Sequence, residues 1–235
     1  MKTSLKKLLL LSGLSLPLQC VRRAALRCYE WLGNRAFRLL GYLPPSPDST
    51  SIDKDKIARI LVVRLDRLGD LVLSTPLFRA IKEGFPSATL SLLINSYTKD
   101  LVINNPWVDE ILSYGEKSAG EILRKVKESH FDLVLVLHDN LLGNQAAFRS
   151  RAAYRIGYDS NRSSFLMTHV LADDRNINVR PYVETNLDFA GFLGLEPKNE
   201  DVEISLTEEG ERFADAFFED HSIRDKDVVV CIHPG

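Results

Sequence analysis

The sequence predicts an α/β protein built on a doubly wound parallel sheet. Two observations carry this reading. Short apolar runs, most plainly Ile60-Leu61-Val62-Val63 and Leu133-Val134-Leu135-Val136-Leu137, are continuous rather than alternating, as in strands covered on both faces. Between them lie segments with apolar residues at helical spacing, so strand and helix alternate along the chain. The 235 residues hold 45% hydrophobic and 26% charged side chains, an ordinary globular composition that excludes wholesale disorder. No repeat of solenoid period is visible.

The elements follow in order. Ile60–Val63 is the first strand. Gly69–Gly84 has helical spacing, with Leu73, Leu77, Ala80 and Ile81 on one face. Thr89–Ile94 reads as a strand, Asp100–Asn105 as a short helix before Pro106, and Glu110–Ser113 as a third strand. Ala119–Ser129 is a charged amphipathic helix, and Asp132–Leu137 is the clearest buried strand. Ala152–Gly157 is another strand, and Tyr182–Leu195 is a helix ended by Gly194. Val202–Ser205 is short and extended. Thr207 caps a helix to about Asp220, and Asp227–Ile232 is a last apolar strand before His233-Pro234-Gly235.

What precedes the first strand is different in kind. Residues 1–45 hold eight Lys or Arg and one acid, Glu30, a net of +7, which leaves −9 on the rest of a chain whose total is −2. Leu8–Leu18 is a Leu/Ser/Gly run after a basic start, and Val21–Leu43 alternates Arg with Leu, Trp31, Phe37 and Tyr at helical spacing. A basic amphipathic arm of this composition lies in a membrane interface. A cleaved signal and a helix docked on its own protein are the alternatives. Against the signal, no A-x-A site follows, and Gln19 stands where a small residue would precede Cys20. Pro44, Pro45 and Pro47 then open a polar linker, residues 46–56, which leads into a body over residues 57–225. The three cysteines form no CxxC pair, which points to reduced thiols rather than a zinc site or a disulfide framework.

Several chemistries are excluded by motif. The first strand is followed by Leu65-Asp66-Arg67-Leu68-Gly69-Asp70, with one glycine where a dinucleotide fingerprint needs three. No P-loop and no G-x-S-x-G elbow occurs. His138-Asp139 lacks the further His and Asp partners of a metal phosphohydrolase, and none of the five histidines form an i,i+4 pair, so no metal is expected. Ligands of such sheets sit outside the carboxyl ends of the strands, which singles out Arg64–Asp70, Asn95–Tyr97, His138–Asn144 and His233–Gly235.

Within Arg64–Pro76, Gly69 suits a tight turn and Asp70 falls in the first turn of the helix, where the dipole favours a carboxylate. The sequence leaves two roles open for Asp70: an N-cap, or a general base accepting a proton from a bound hydroxyl. Arg64 and Arg67 either bind an anionic substrate group or pair with Asp66 and Asp70.

The stretch Arg59–Pro76, continued by Leu77–Pro86, resembles the opening of glycosyltransferase family 9, the heptosyltransferases of lipopolysaccharide core synthesis. Further similarity lies in Asn105-Pro106-Trp107-Val108-Asp109-Glu110-Ile111, in Phe131-Asp132-Leu133-Val134, in Tyr154-Arg155-Ile156-Gly157-Tyr158 and in Asn186–Leu195. Cys231-Ile232-His233-Pro234-Gly235 resembles the first strand and loop of that family's second domain, so residues 226–235 are expected to open a donor-binding domain. The resemblance implies a Rossmann-like acceptor domain, the N-terminal half of a GT-B glycosyltransferase. It implies inverting transfer without a metal or other cofactor, from a nucleotide-sugar of the ADP-heptose kind. Asp70 is then the catalytic base, and Arg64, Arg67, Gly69, Ser74, Thr75, His138 and Asn140 are the substrate-binding candidates. The implied partners are a glycolipid acceptor, the nucleotide-sugar and the inner-membrane surface, with no nucleic acid, and the implied place is the cytoplasmic side, peripheral to that membrane. The chain ends where the donor half would begin, so the expectation is an incomplete enzyme, inactive alone. Two other classes stay open: a non-catalytic α/β module holding a lipid-linked sugar or a protein, and an exported sugar- or peptide-binding half-domain.

Overall fold

The apolar runs pair into one six-stranded sheet of order β3-β2-β1-β4-β5-β6, and every neighbouring pair is parallel. The structure, a computed structural model, describes residues 52–160, 164–173, 179–224 and 226–232. The basic arm of residues 1–45, the start of the linker and His233–Gly235 therefore lie outside the described residues.

β1 (Arg59–Arg64) is central, between β2 (Thr89–Asn95) and β4 (Leu133–Val136), so Ile60 stands level with both Leu90 and Leu133. β3 (Glu110–Tyr114) closes one side; β5 (Tyr154–Tyr158) and β6 (His169–Leu171) close the other. Successive strand residues point to opposite faces, which explains why continuous apolar runs were needed. Ile60, Val62, Leu92 and Leu135 enter one core with helices α2 (Thr75–Gly84) and α5 (Tyr182–Phe192). Leu61, Val63, Leu93 and Val136 enter the other with α3 (Ala119–Glu128) and α4 (Leu141–Ser150). Both faces are thus covered, as the sequence predicts.

Five elements differ from expectation. The single helix Gly69–Gly84 is two: α1 (Leu68–Val72) and α2. Pro76 has no N–H to continue the ladder. The Val72 carbonyl is bonded by the Thr75 hydroxyl at 2.8 Å, and the Asp70 carbonyl by Ser74 Oγ at 2.7 Å. The helical turn expected at Asp100–Asn105 is a 3₁₀ turn over Ser96–Leu101. It starts as soon as β2 ends, with the Thr98 hydroxyl bonded to the Asn95 carbonyl. α4 and β6 were not foreseen. Finally, Asp227–Ile232 forms no strand. Its valines are exposed, and no neighbouring strand among the described residues supplies a ladder. The helix expected after Thr207 is α6 (Glu208–Asp220), capped by the Thr207 hydroxyl on Gly210 N–H.

Candidate functional site

A sheet of order 3-2-1-4-5-6 reverses direction between β1 and β4, and the crevice outside their carboxyl ends is where such sheets take ligands. The loop after β1 and the loop after β4 meet there. Arg64, the last residue of β1, is 4% exposed and holds them together. Its Nε donates to the Asp70 carbonyl at 3.2 Å and stands 3.2 Å from Asp66 Oδ1. Nη1 donates to the Leu137 carbonyl at 3.2 Å, and Nη2 lies 3.7 Å from Asp70 Oδ1. One buried guanidinium thus fixes both acids and the end of β4. Arg64 is a brace, and its donors are directed inward rather than toward a substrate.

Asp66 is the deeper acid, its side chain 13% exposed, and Asp70 the more open, at 26%. Two groups at the carboxyl end of β2 hold the Asp66 carbonyl: Tyr97 Oη at 2.5 Å and Asn95 Nδ2 at 3.2 Å. Burial pushes the Asp66 carboxyl above the usual aspartate range; Arg64 pulls it back, the Asp70 carboxylate pushes it up further, and His138 lowers it. His138 is half-exposed, with Nδ1 3.8 Å from Asp66 Oδ2. The Arg67 guanidinium is exposed and has no hydrogen-bond or ion-pair partner among the described residues.

The remaining candidates divide. Asp70 is not an N-cap: Arg67 is the N-cap of α1, and Asp70 is its third residue with an open carboxylate. Gly69 is not forced by the turn. Its φ is not positive, and a Cβ there would meet nothing within 4 Å, so its place in the site is an uncovered surface beside Asp70. Ser74 and Thr75 are buried and engaged with backbone, Thr75 Oγ1 also accepting from Glu203 N at 2.9 Å. Asn140 is the N-cap of α4, its Oδ1 accepting from Leu142 N and Gly143 N at 2.9 and 3.2 Å. The site is therefore Asp70, Asp66, Arg67 and His138 around the Arg64 brace.

No known family profile matches the chain. A putative glycosyltransferase of Haemophilus influenzae is 27% identical over 134 residues, 55% of this chain and 39% of that protein. Lipopolysaccharide heptosyltransferase 3 of Escherichia coli is 24% identical over 157 residues, 60% of this chain and 44% of that protein. The relatives are glycosyltransferases. A glycosyltransferase family 9 structure from Veillonella parvula superposes with a TM-score of 0.64 at 22% identity, covering 78% of this chain and 56% of that one. The E. coli ADP-heptose heptosyltransferase II superposes at 0.53 and 16% identity, covering 72% and 52%. The fold is thus the Rossmann-like α/β fold of family 9 glycosyltransferases. The chain spans about two fifths of the length of the curated glycosyltransferases it matches.

Asp66, Asn95 and Tyr97 lie within the stretches that sequence reading singles out at strand ends, but they are not among its site residues. Asp66 reads in sequence as a partner for its flanking arginines, and its burial comes from groups about thirty positions away. Asn95 and Tyr97 do carry a signal, standing at the carboxyl end of a predicted strand. Among the described residues, no group of three or more His, Cys, Asp or Glu side chains is placed to hold a metal ion.

Proposed function

We propose that this chain carries the acceptor side of an inverting glycosyltransferase of the heptosyltransferase kind. The donor is a nucleotide-sugar such as ADP-heptose, and the acceptor is a lipopolysaccharide or related glycolipid. The observation that carries the reading is the open Asp70 carboxylate at the β1–β4 crossover, with unpaired Arg67 beside it and Gly69 leaving the approach uncovered. An acceptor hydroxyl seated against Asp70 gives its proton to that carboxylate as its oxygen bonds to the anomeric carbon. The bond from that carbon to the diphosphate oxygen breaks, and the nucleoside diphosphate leaves with the electron pair. Attack from the face opposite the leaving group inverts the anomeric centre. Arg67 meets a phosphate or carboxylate of the acceptor, for which a guanidinium fork is suited. Arg64 keeps Asp70 aimed at the crevice and cannot turn to substrate without losing Leu137 and Asp66. No metal or cofactor enters this reaction. The basic arm holds the protein against the cytoplasmic face of the inner membrane, where the acceptor resides.

The test is the stereochemistry of transfer. In a chimera joining this chain to the remaining length of a family 9 relative, ADP-heptose and a lipopolysaccharide-type acceptor are supplied, and the product's anomeric proton is read by NMR. An inverted centre is expected. A retained centre, or acceptor binding with no transfer, contradicts the proposal, the latter in favour of a non-catalytic binding module.

A further inference from the structure

A pocket lined mostly by cations lies at the amino ends of β4 and β5, away from the Asp70 crevice. It has a volume of ≈ 660 Å³ and is lined by Lys127, Phe148, Arg149, Arg151 and Arg155. Four of the five lining residues are cationic, and none is an acid. Lys127 stands in the last turn of α3, Arg149 in the last turn of α4, Arg151 just after α4 with φ 57°, and Arg155 at the start of β5. Arg155 is fixed in place, Nη1 on the Ala152 carbonyl at 2.7 Å and Nε on the Leu166 carbonyl at 2.9 Å. The side chains of Lys127, Arg149 and Arg151 are exposed and make no hydrogen bond or ion pair among the described residues.

Cations at helix C-termini have an ordinary structural use, which is to offset the dipole. The magnitudes decide against that as a full account. Two helix ends supply roughly half a negative charge each, about −1 together, against the three formal positive charges of Lys127, Arg149 and Arg151. An excess of about +2 in one concave site matches a multiply charged anion. Phosphate is the anion whose oxygens arginine forks bind in pairs. The half-exposed Phe148 ring gives the pocket an apolar wall, beside which the carbon skeleton bearing the phosphate can lie.

We propose that this pocket binds a phosphate-bearing anion, from either a lipid headgroup or a soluble phosphate. The site stands apart from sugar transfer and does not depend on that reading. Its test uses the full chain, the variant Lys127→Gln/Arg149→Gln/Arg151→Gln, and a control of equal charge change, Lys54→Gln/Lys56→Gln/Lys198→Gln. Inorganic pyrophosphate is titrated by calorimetry, and phosphatidylcholine vesicles containing phosphatidic acid are tested by flotation. The parent and the control are expected to bind, and the pocket variant to lose about tenfold or more in affinity. Loss confined to pyrophosphate assigns a soluble phosphate, and loss confined to vesicles assigns a lipid headgroup. Equal binding by parent and pocket variant, an equal loss in the control, or no binding of either probe overturns the proposal. Thermal melting is followed alongside. Should the triple variant not fold, Arg149→Gln and Arg151→Gln are measured singly, and a loss from neither also overturns it.

Discussion

Arg64 and Arg67 are three positions apart and do different work. Arg64 is almost fully buried and faces two acids and two carbonyls, whereas Arg67 is exposed and unpaired. Arg64→Gln leaves Asp66 in a buried position without its cation. It should lower unfolding free energy by about 3–5 kcal/mol, measured as a shift of the urea midpoint. Arg67→Gln touches nothing in the fold. Its melting temperature should match the parent, while KM for an anionic acceptor rises about tenfold with kcat little changed. If instead Arg67→Gln were unstable and Arg64→Gln stable, the division between brace and binder drawn from the geometry would be wrong. Before folding the two arginines look alike, because what separates them is the Leu137 carbonyl at the end of β4, seventy-three residues away.

His169 and Ser118 show the same logic for whole elements. β6 is only three residues long, and its first residue, His169, lies between Tyr154 and Phe192 with ring centroids 6.0 Å away on either side. Burial lowers its pKa below the ordinary value of 6.5, and the charge of Arg155 adds to the effect. The folded state therefore prefers the neutral ring, while the unfolded chain takes up a proton near the ordinary value. The stability this gives is complete above that value and is lost as pH falls through the depressed folded pKa. Melting temperatures of the parent should fall more steeply below about pH 6.5 than those of His169→Phe, which keeps a ring but cannot charge; parallel curves would contradict this. At the start of α3, Ser118 and Glu121 form a full capping box, the Ser118 hydroxyl accepting from Glu121 N–H and the Glu121 carboxylate from Ser118 N–H. Ser118→Ala should cost about 1 kcal/mol in denaturant unfolding.

These elements also mark what could be read in advance. The core strands were legible, since Ile60–Val63 and Leu133–Leu137 can only be buried on both faces. The position of Asp70 just beyond the carboxyl end of β1 was legible, though Gly69 and Asp70 stand in α1 rather than in a turn. α4 was not, because Leu141–Ser150 buries Gly143, Asn144, Ala146, Ala147 and Ser150, small residues with little apolar contrast. Gly143 sits there because a Cβ would come within 2.8 Å of Val63 Cγ1, a constraint set by a strand eighty residues earlier. The break between α1 and α2 was signalled by Pro76, which helical spacing alone overrides. β6 is too short for any pattern. Asp66 was read only as a partner for its flanking arginines, because its burial is a tertiary effect.

For the molecule as a whole, the order of strands places the chemistry. A parallel sheet reversing between β1 and β4 opens one crevice, and Asp70, Asp66, Arg67 and His138 all stand at it. No helix among the described residues is long and apolar enough to cross a membrane. The N-terminal segment carries a net charge of +7, which favours electrostatic attachment to acidic lipid. Deleting residues 1–45 should weaken binding to vesicles of acidic lipid, with the loss mimicked by raised salt. Undiminished binding by the shortened chain would assign attachment to the body instead, where Lys127, Arg149 and Arg151 offer a second basic surface.

The central claim is that Asp70 takes the acceptor's proton, and Asp70→Asn tests it most directly. The amide keeps the shape of the carboxylate and its place in α1 while removing the base. In a chimera that completes the length of the glycosyltransferase relatives, sugar transfer by Asp70→Asn should fall about 10²-fold or more. Its melting temperature and acceptor affinity should stay at the parent's values. Transfer at the parent rate by a folded Asp70→Asn protein would contradict the account and move the base to another group of the crevice.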